Sequence, residues 1–349
     1  MKALATDILG DLQINSESRT PKYKQIINHI LDQIEKENLM IGDRIPSINE
    51  MSEEYYLSRD TVEKAYSFLK ERKIIASVKG KGYFISNVDL KSRINVCLIF
   101  NKLSTYKKII FNNIIWTLGP EANVDLYVHH CDKDLFKNIL KKNLGEYNYY
   151  VIMPHFQEVD DELVELIRSI PKDQLLVLDK DFEKIEGNHG AVYQNFQKDI
   201  YKALGEATDL LEKYHKLVLV FPIDESYPYP PEIVTGFVDF CRNHEVSYDI
   251  IDTFDPGRII AQKGEAFILL TEYDLVNLVK SSRNMGWKIG HDVGIISYNE
   301  TPLKEVLADG ITVISTDFEK MGQSLAKMIL EKKKERIENE FSLIRRNSL

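Results

Sequence analysis

Apolar residues at positions 23, 26, 27, 30, 31 and 34 follow Pro21 at the spacing of one helical face, and Pro is well placed at a helix start. The run predicts a helix ending near Asn38, after which Gly42-Asp43 supplies a turn. Ser47 with Glu50 three residues later is a capping-box pair, so a second helix begins there and runs towards Tyr55. After a break at Tyr56-Leu57, Ser58 offers a second N-cap. Residues 59–72 read as a third helix with Val62, Ala65, Tyr66 and Leu69 turned inward. Residues 74–78 and 83–85 are short β-prone runs joined by Lys79-Gly80-Lys81-Gly82, a glycine-rich basic hairpin tip.

Two short helices across a tight turn, followed by such a hairpin, have the layout of a winged helix-turn-helix. Beyond residue 93 the period changes. Strands are expected at 94–100, 124–129, 149–154, 175–178, 217–222, 248–251, 266–271 and 293–298. Helices are expected at 106–118, 134–144, 160–170, 199–214, 233–243, 273–285 and 318–333. Apolar strands alternating with amphipathic helices predict a mostly parallel sheet covered on both faces, and so many units predict two doubly wound lobes. The expected fold class is α/β, with an α+β winged helix-turn-helix ahead of the two lobes. The expected division is a DNA-binding domain at 1–85, a polar linker at 86–93, a two-lobed domain at 94–335 and a C-terminal tail at 336–349.

Composition sharpens the function more than the fold. The 349 residues are 44% hydrophobic and 28% charged, as in globular proteins. No apolar stretch approaches a bilayer span, and residues 1–15 lack the pattern of a secretory leader, so a cytoplasmic protein with no membrane partner is expected. Cys97, Cys131 and Cys241 are scattered, which fits neither a disulfide framework nor a zinc site. The net charge of −9 is unevenly spread. From Arg59 to Lys81 seven basic residues (Arg59, Lys64, Lys70, Arg72, Lys73, Lys79, Lys81) face three acidic ones (Asp60, Glu63, Glu71), a local +4. A basic patch on an acidic chain orients it on a polyanion.

Leu39-x-x-Gly42-Asp43-x-Ile45-Pro46-Ser47, Ser58-Arg59-Asp60-Thr61-Val62 and Gly80-Lys81-Gly82-Tyr83-Phe84 together resemble the signature of the GntR family of winged-helix regulators, over residues 21–85. The resemblance implies that Ser47 caps the second helix near a phosphate. It places Ser58, Arg59 and Thr61 at the start of the recognition helix, and Lys79, Gly80 and Lys81 at the minor groove or its flanking backbone. Arg59 is the best base reader, since its fork meets guanine bidentately. Asn49 and Glu63 stand where many members carry DNA-touching arginines; Asn49 keeps hydrogen-bonding capacity, and Lys64 either compensates for Glu63 or points to solvent.

A second resemblance covers roughly residues 94–330. Gly286-x-x-Ile289-Gly290-x-Asp292-Val293-Gly294-Ile295-Ile296-Ser297-Tyr298-Asn299-Glu300 and Ile311-Thr312-Val313-Ile314-Ser315-Thr316-Asp317-Phe318-x-x-Met321-Gly322-x-x-Leu325-Ala326 are similar to the LacI family and to periplasmic sugar-binding proteins. Val192-Tyr193-Gln194-Asn195 echoes the first crossing between lobes in such chains. A GntR-type head on this kind of sensor is the arabinose-repressor-like architecture.

Ligands of open α/β sheets lie beyond the carboxyl ends of the strands, which nominates effector residues. Strand ends deliver Phe100 and Asn101, His155, Asp224, Glu272 with Tyr273, and Asn299; Phe100, Tyr106, Tyr227 or Tyr229 could stack on a sugar ring. Asn299 falls where the LacI resemblance implies a side chain that bonds sugar hydroxyls. Each has a plainer role open to it: loop tyrosines pack at edges, Asn299 forms a turn, His155 is a satisfied buried histidine.

The expected function is a sequence-specific transcription regulator, a repressor, whose hold on a near-palindromic double-stranded operator is set by a small effector. That effector is a sugar or sugar phosphate, and the regulator is a homodimer. The alternative is a GntR-type head fused to a catalytic domain acting on a small metabolite. No G-x-S-x-G, H-E-x-x-H or P-loop pattern occurs, no lysine has a pyridoxal-phosphate context, and adjacent His129 and His130 point to opposite faces of a strand. No catalytic residue, metal ligand or cofactor is therefore expected.

Overall fold

Chain contacts divide the protein into two units, Met1–Ile94 and Asn95–Leu349. The computed structural model describes residues 12–16, 21–86 and 94–349 apart from positions 121, 157, 183, 186, 188, 224–226 and 259–260. Most of the expected linker, and Asp224, lie outside the described residues.

In the first unit α1 (Lys22–Glu35) starts directly after Pro21 and buries Ile26, Ile27, Ile30 and Ile34 along one stripe. A two-residue strand, β1 (Arg44–Ile45), precedes α2 (Ile48–Glu54). The Ser47 cap is reciprocal: its side chain accepts from Glu50 N, and the Glu50 carboxylate accepts from Ser47 N at 2.6 Å. This satisfies two helix-end donors that would otherwise be orphaned. Ser58 caps α3 (Arg59–Glu71), whose Val62, Ala65, Tyr66 and Leu69 are all fully buried. The Tyr66 hydroxyl donates to Pro46 O at 2.7 Å, tying α3 to the turn ahead of α2 and fixing the angle between the two helices. Strands β2 (Ile75–Val78) and β3 (Gly82–Ile85) form the hairpin, and β1 pairs antiparallel with β3 to make three strands. The sequence reading misses β1, because two residues are too few for any alternation to show.

The second unit holds two six-stranded sheets. The first lobe is built from β4 (Ile94–Phe100), α4 (Thr105–Leu118), β5 (Ala122–Val128), α5 (Lys133–Asn143), β6 (Tyr149–Ile152), α6 (Asp161–Arg168), β7 (Leu175–Lys180) and β8 (Gly190–Gln194). The second lobe follows with α7 (Phe196–Glu206), α8 (Thr208–Leu211), β9 (Lys216–Val220), α9 (Glu232–Asn243), β10 (Ser247–Ile251), β11 (Glu265–Leu269), α10 (Glu272–Asn284), β12 (Val293–Tyr298), α11 (Pro302–Val306) and β13 (Thr312–Thr316). Pairing is parallel through β4-β6-β7-β8 and through β10-β9-β11-β12-β13, as expected for helix-covered sheets.

The chain then returns. Helix α12 (Phe318–Leu330) packs on α4 of the first lobe: a Cβ on Gly322 would lie 2.6 Å from Ile110 O, so only glycine permits that approach. Strand β14 (Arg336–Glu338) adds to β8 in the first sheet, and β15 (Phe341–Ile344) adds antiparallel to β13 in the second. Residues 336–349, expected as a tail, therefore supply one edge strand to each sheet. That correction has a simple cause: edge strands of three and four residues are too short for any alternation to show.

The chain passes between the lobes three times, at Asn195, Asp317 and Asn339-Glu340. Asn195 caps α7 and Asp317 caps α12. Asn339 laces the crossings together, its backbone N donating to Tyr193 O at 2.7 Å and its side chain to Thr316 Oγ1 and Asp317 O at 2.7 and 2.8 Å.

Candidate DNA-binding face and effector cleft

In the first unit the nominated residues collect at α2, the start of α3 and the hairpin tip. Asn49, Ser58, Arg59, Lys64, Lys79, Gly80 and Lys81 are exposed, and Ser47 and Thr61 are half-buried. Ser58 and Thr61 share a hydroxyl–hydroxyl hydrogen bond of 2.7 Å while Thr61 N donates to Ser58 Oγ, so this pair shapes the first turn of α3 and presents Arg59 beside it. Lys64 lies over the Tyr23 ring, 4.1 Å from its centroid. Its charge is thus held against α1 by a cation–π contact. Gly80 takes φ +77°, a left-handed turn conformation that suits glycine at the hairpin tip. Arg44, which the sequence reading passes over, pairs with Glu50 at 3.1 Å. Glu50 sits below the usual carboxylate range, first because Ser47 N donates to it, with Arg44 adding to the effect.

In the second unit a cleft partly open to solvent lies between the lobes at the carboxyl ends of the strands. Five nominated effector residues line it: Asn101 after β4, Tyr106 at α4, His155 after β6, Tyr229 ahead of α9 and Asn299 after β12. The others are placed elsewhere. Phe100 is fully buried and outside the lining. Glu272 is the exposed first residue of α10, which Thr271 caps, and is outside the lining. Tyr227 stands beside the cleft, and its hydroxyl shares a 2.7 Å hydrogen bond with His130 Nδ1 across the lobes.

The sequence reading misses the most strongly coupled part of the site. Asp179, at the end of β7, is 3% exposed and receives the Lys107 ammonium and His155 Nε2 on one oxygen, the latter at 2.7 Å. Gln194 Nε2 donates to its other oxygen at 2.7 Å. Burial alone would raise the Asp179 carboxyl, but the charge of Lys107 and the bond from His155 hold it well below the usual carboxylate range. Burial lowers His155 despite the pull of Asp179. Lys107 Nζ also lies 3.2 Å from Met153 Sδ. Tyr106 stacks on Phe318 with centroids 4.9 Å apart, and burial pushes its hydroxyl up to about 12. Asn101 Oδ1, Gln194 Oε1, Asn299 Oδ1 and the Tyr298 hydroxyl are buried in this lining with no partner within the protein. Unpaired buried polar atoms are costly, so such a group in a cleft marks where a ligand bonds. Asn299 is also held at φ +64°, and Lys304 donates to its carbonyl and to that of Tyr298.

Residues 22–85 match the gntR family of bacterial regulatory proteins, and residues 210–349 match the periplasmic binding protein-like domain. The HTH-type transcriptional repressor YtrA of Bacillus subtilis is 36% identical over 75 residues, 22% of this chain and 58% of YtrA. The HTH-type transcriptional regulator TreR of the same organism is 27% identical over 164 residues, 46% of this chain and 58% of TreR. The chain thus spans less than two thirds of the length of either relative. A LacI family transcriptional regulator from Enterococcus faecalis V583, solved with bound ribose, superposes with a TM-score of 0.57 at 18% identity, covering 73% of this chain and 98% of that one. The protein joins an N-terminal gntR-family winged helix-turn-helix to a two-lobed domain of the LacI and periplasmic-binding-protein-like fold.

Proposed function

We propose that the protein is a transcription regulator that binds double-stranded DNA through Arg59, Ser47, Asn49, Ser58, Thr61 and the Lys79-Gly80-Lys81 tip, and releases it when a sugar or sugar phosphate enters the cleft. The observation that carries this reading is the union, in one chain, of a capped basic helix-turn-helix and wing with a cleft whose buried polar atoms lack partners. The named relatives are regulators, and the ribose in the Enterococcus structure supports a carbohydrate-sized ligand. No helix among the described residues is long and apolar enough to cross a membrane, and the expected compartment is the cytoplasm. Two heads on a two-fold axis would read half-sites one or more turns apart, about 34 Å per turn. Ligand acts only through its different affinity for the two conformations of the lobes.

The test is gel-shift of the full chain on fragments of its own genome, at low and physiological salt, with and without a sugar panel. A sharp salt-dependent shift reversed by one sugar supports the reading. Failure to retard any fragment in dilute buffer overturns the DNA half, and retardation unaffected by every sugar overturns the effector half.

A further inference from the structure

We propose that Lys107, Asp179 and His155 form an internally neutralised buttress whose task is to orient Gln194, so that the cleft presents acceptor oxygens and selects an uncharged, hydroxyl-rich ligand over its phosphate ester or amine. The inference rests on the cleft being the effector site.

Asp179 is the only carboxylate among the described lining residues, and both of its oxygens are committed to Lys107, His155 and Gln194. Three of its roughly four acceptor positions are filled, and its charge is already met by Lys107. Lys107, 2% exposed, meets its counter-charge at contact distance and spends a second donor direction on Met153. The most buried cation in the cleft is thus compensated from within. A carboxylate only accepts, so the amide nitrogen of Gln194 must face Asp179 and its oxygen must face away. That oxygen is buried without a partner. Asn101 leans its nitrogen towards Cys131 Sγ at 3.9 Å and leaves its oxygen unpaired, as does Asn299. The unfilled positions are thus the Gln194 oxygen, which Asp179 fixes as an acceptor, the oxygens of the Asn101 and Asn299 amides, and the Tyr298 hydroxyl, which does either.

A sugar hydroxyl donates to such oxygens and accepts from Tyr298. A phosphate dianion brings acceptors alone and would set like against like, at the cost of desolvating its charge. An ammonium would satisfy the oxygens but enters beside Lys107 and Lys102 with no carboxylate free to receive it. Lys102 lies 5.1 and 5.4 Å from the Tyr227 and Tyr229 ring centroids and is the cation a phosphate at the mouth would reach.

Calorimetry on the full chain would compare common pentoses and hexoses with their phosphate esters and 2-amino counterparts. We expect one neutral sugar to bind and its phosphate and amine forms to bind at least about 10-fold more weakly. Gln194→Leu should weaken the neutral sugar by about 10-fold, one hydrogen bond's worth, with cooperative melting retained; Gln194→Met gives the same comparison should the leucine variant not fold. Tighter binding of a phosphate ester, lost on Lys102→Ala, would overturn this inference while upholding the effector site. Silence from every sugar in every form would instead remove the effector reading beneath it.

Discussion

The two regions of this protein hold their charges in opposite ways. In the winged helix-turn-helix, Arg59, Lys79 and Lys81 stand in solvent on a short stretch of chain, and no charge among them needs a partner for the fold to survive. In the cleft, Lys107 and Asp179 come from positions far apart in sequence, and each is buried against the other. Water pays for the first set until DNA displaces it, whereas the protein itself must satisfy the second at all times. The difference teaches that a charge meant for a polyanion is kept loose and replaceable, while a charge in a ligand cleft is part of the scaffold. Substitution should therefore separate binding from stability in the head and merge them in the cleft.

The largest expected effect sets that contrast most sharply. Asp179→Ala leaves Lys107 buried and alone and should cost about 3–5 kcal/mol of stability in the two-lobed unit, read by denaturant unfolding. A loss below about 1 kcal/mol would show that the cluster is not scaffold. Next comes Asp199, buried in α7 with one oxygen unpartnered, whose carboxyl is raised to about 7 chiefly by burial, with Glu338 adding to it. A raised folded value means its neutral form is favoured: its contribution is complete below the unfolded value and is lost as pH climbs through about 7. Asp199→Asn should accordingly stabilise the protein more at pH 8 than at pH 5, by at most about 2–3 kcal/mol, the span from pH 5 to the folded value. Equal effects at both pH values would contradict the burial argument. Arg59→Ala should cost about 1–3 kcal/mol of specific DNA binding and leave unfolding within about 0.5 kcal/mol of wild type. Smallest in stability is the double change Lys79→Ala with Lys81→Ala. It should move the folding free energy by less than about 0.5 kcal/mol while flattening the salt dependence of DNA binding by about two phosphate contacts. An unchanged slope would take the wing away from the backbone.

The same contrast decides what could be read from residues alone. Ser47 with Glu50, Ser58 with Thr61 and the glycine-lysine tip act within three or four residues of one another, so spacing reveals them. The cleft is assembled by topology, and the strand-end rule reaches only as far as the strand ends are right. Placing the end of β7 at Leu178 instead of Lys180 stops one residue short of Asp179. Lys107 is hidden by its neighbours: between Tyr106 and the exposed Lys108 it looks like one more solvated lysine in a first helical turn. Glu272 fails for a local reason, the Thr271 cap that starts α10 at that residue. A signal for Gln194 was present in the crossing segment, but nothing local says that its amide is aimed by a carboxylate fifteen residues earlier.

The return of the chain through α12, β14 and β15 has a consequence for biosynthesis. Neither lobe is encoded by a continuous stretch, since the first sheet ends with Arg336–Glu338 and its helix layer includes Phe318–Leu330. On the ribosome, the edge of β8 must wait for the rest of the second lobe to be translated, roughly 7–28 s at ordinary elongation rates. Through that interval the nascent chain carries an unpaired strand edge and an uncovered face of α4. Any premature stop codon before Arg336 would leave that edge open for good, and the truncated product would be a substrate for chaperones and proteases instead of a smaller working sensor.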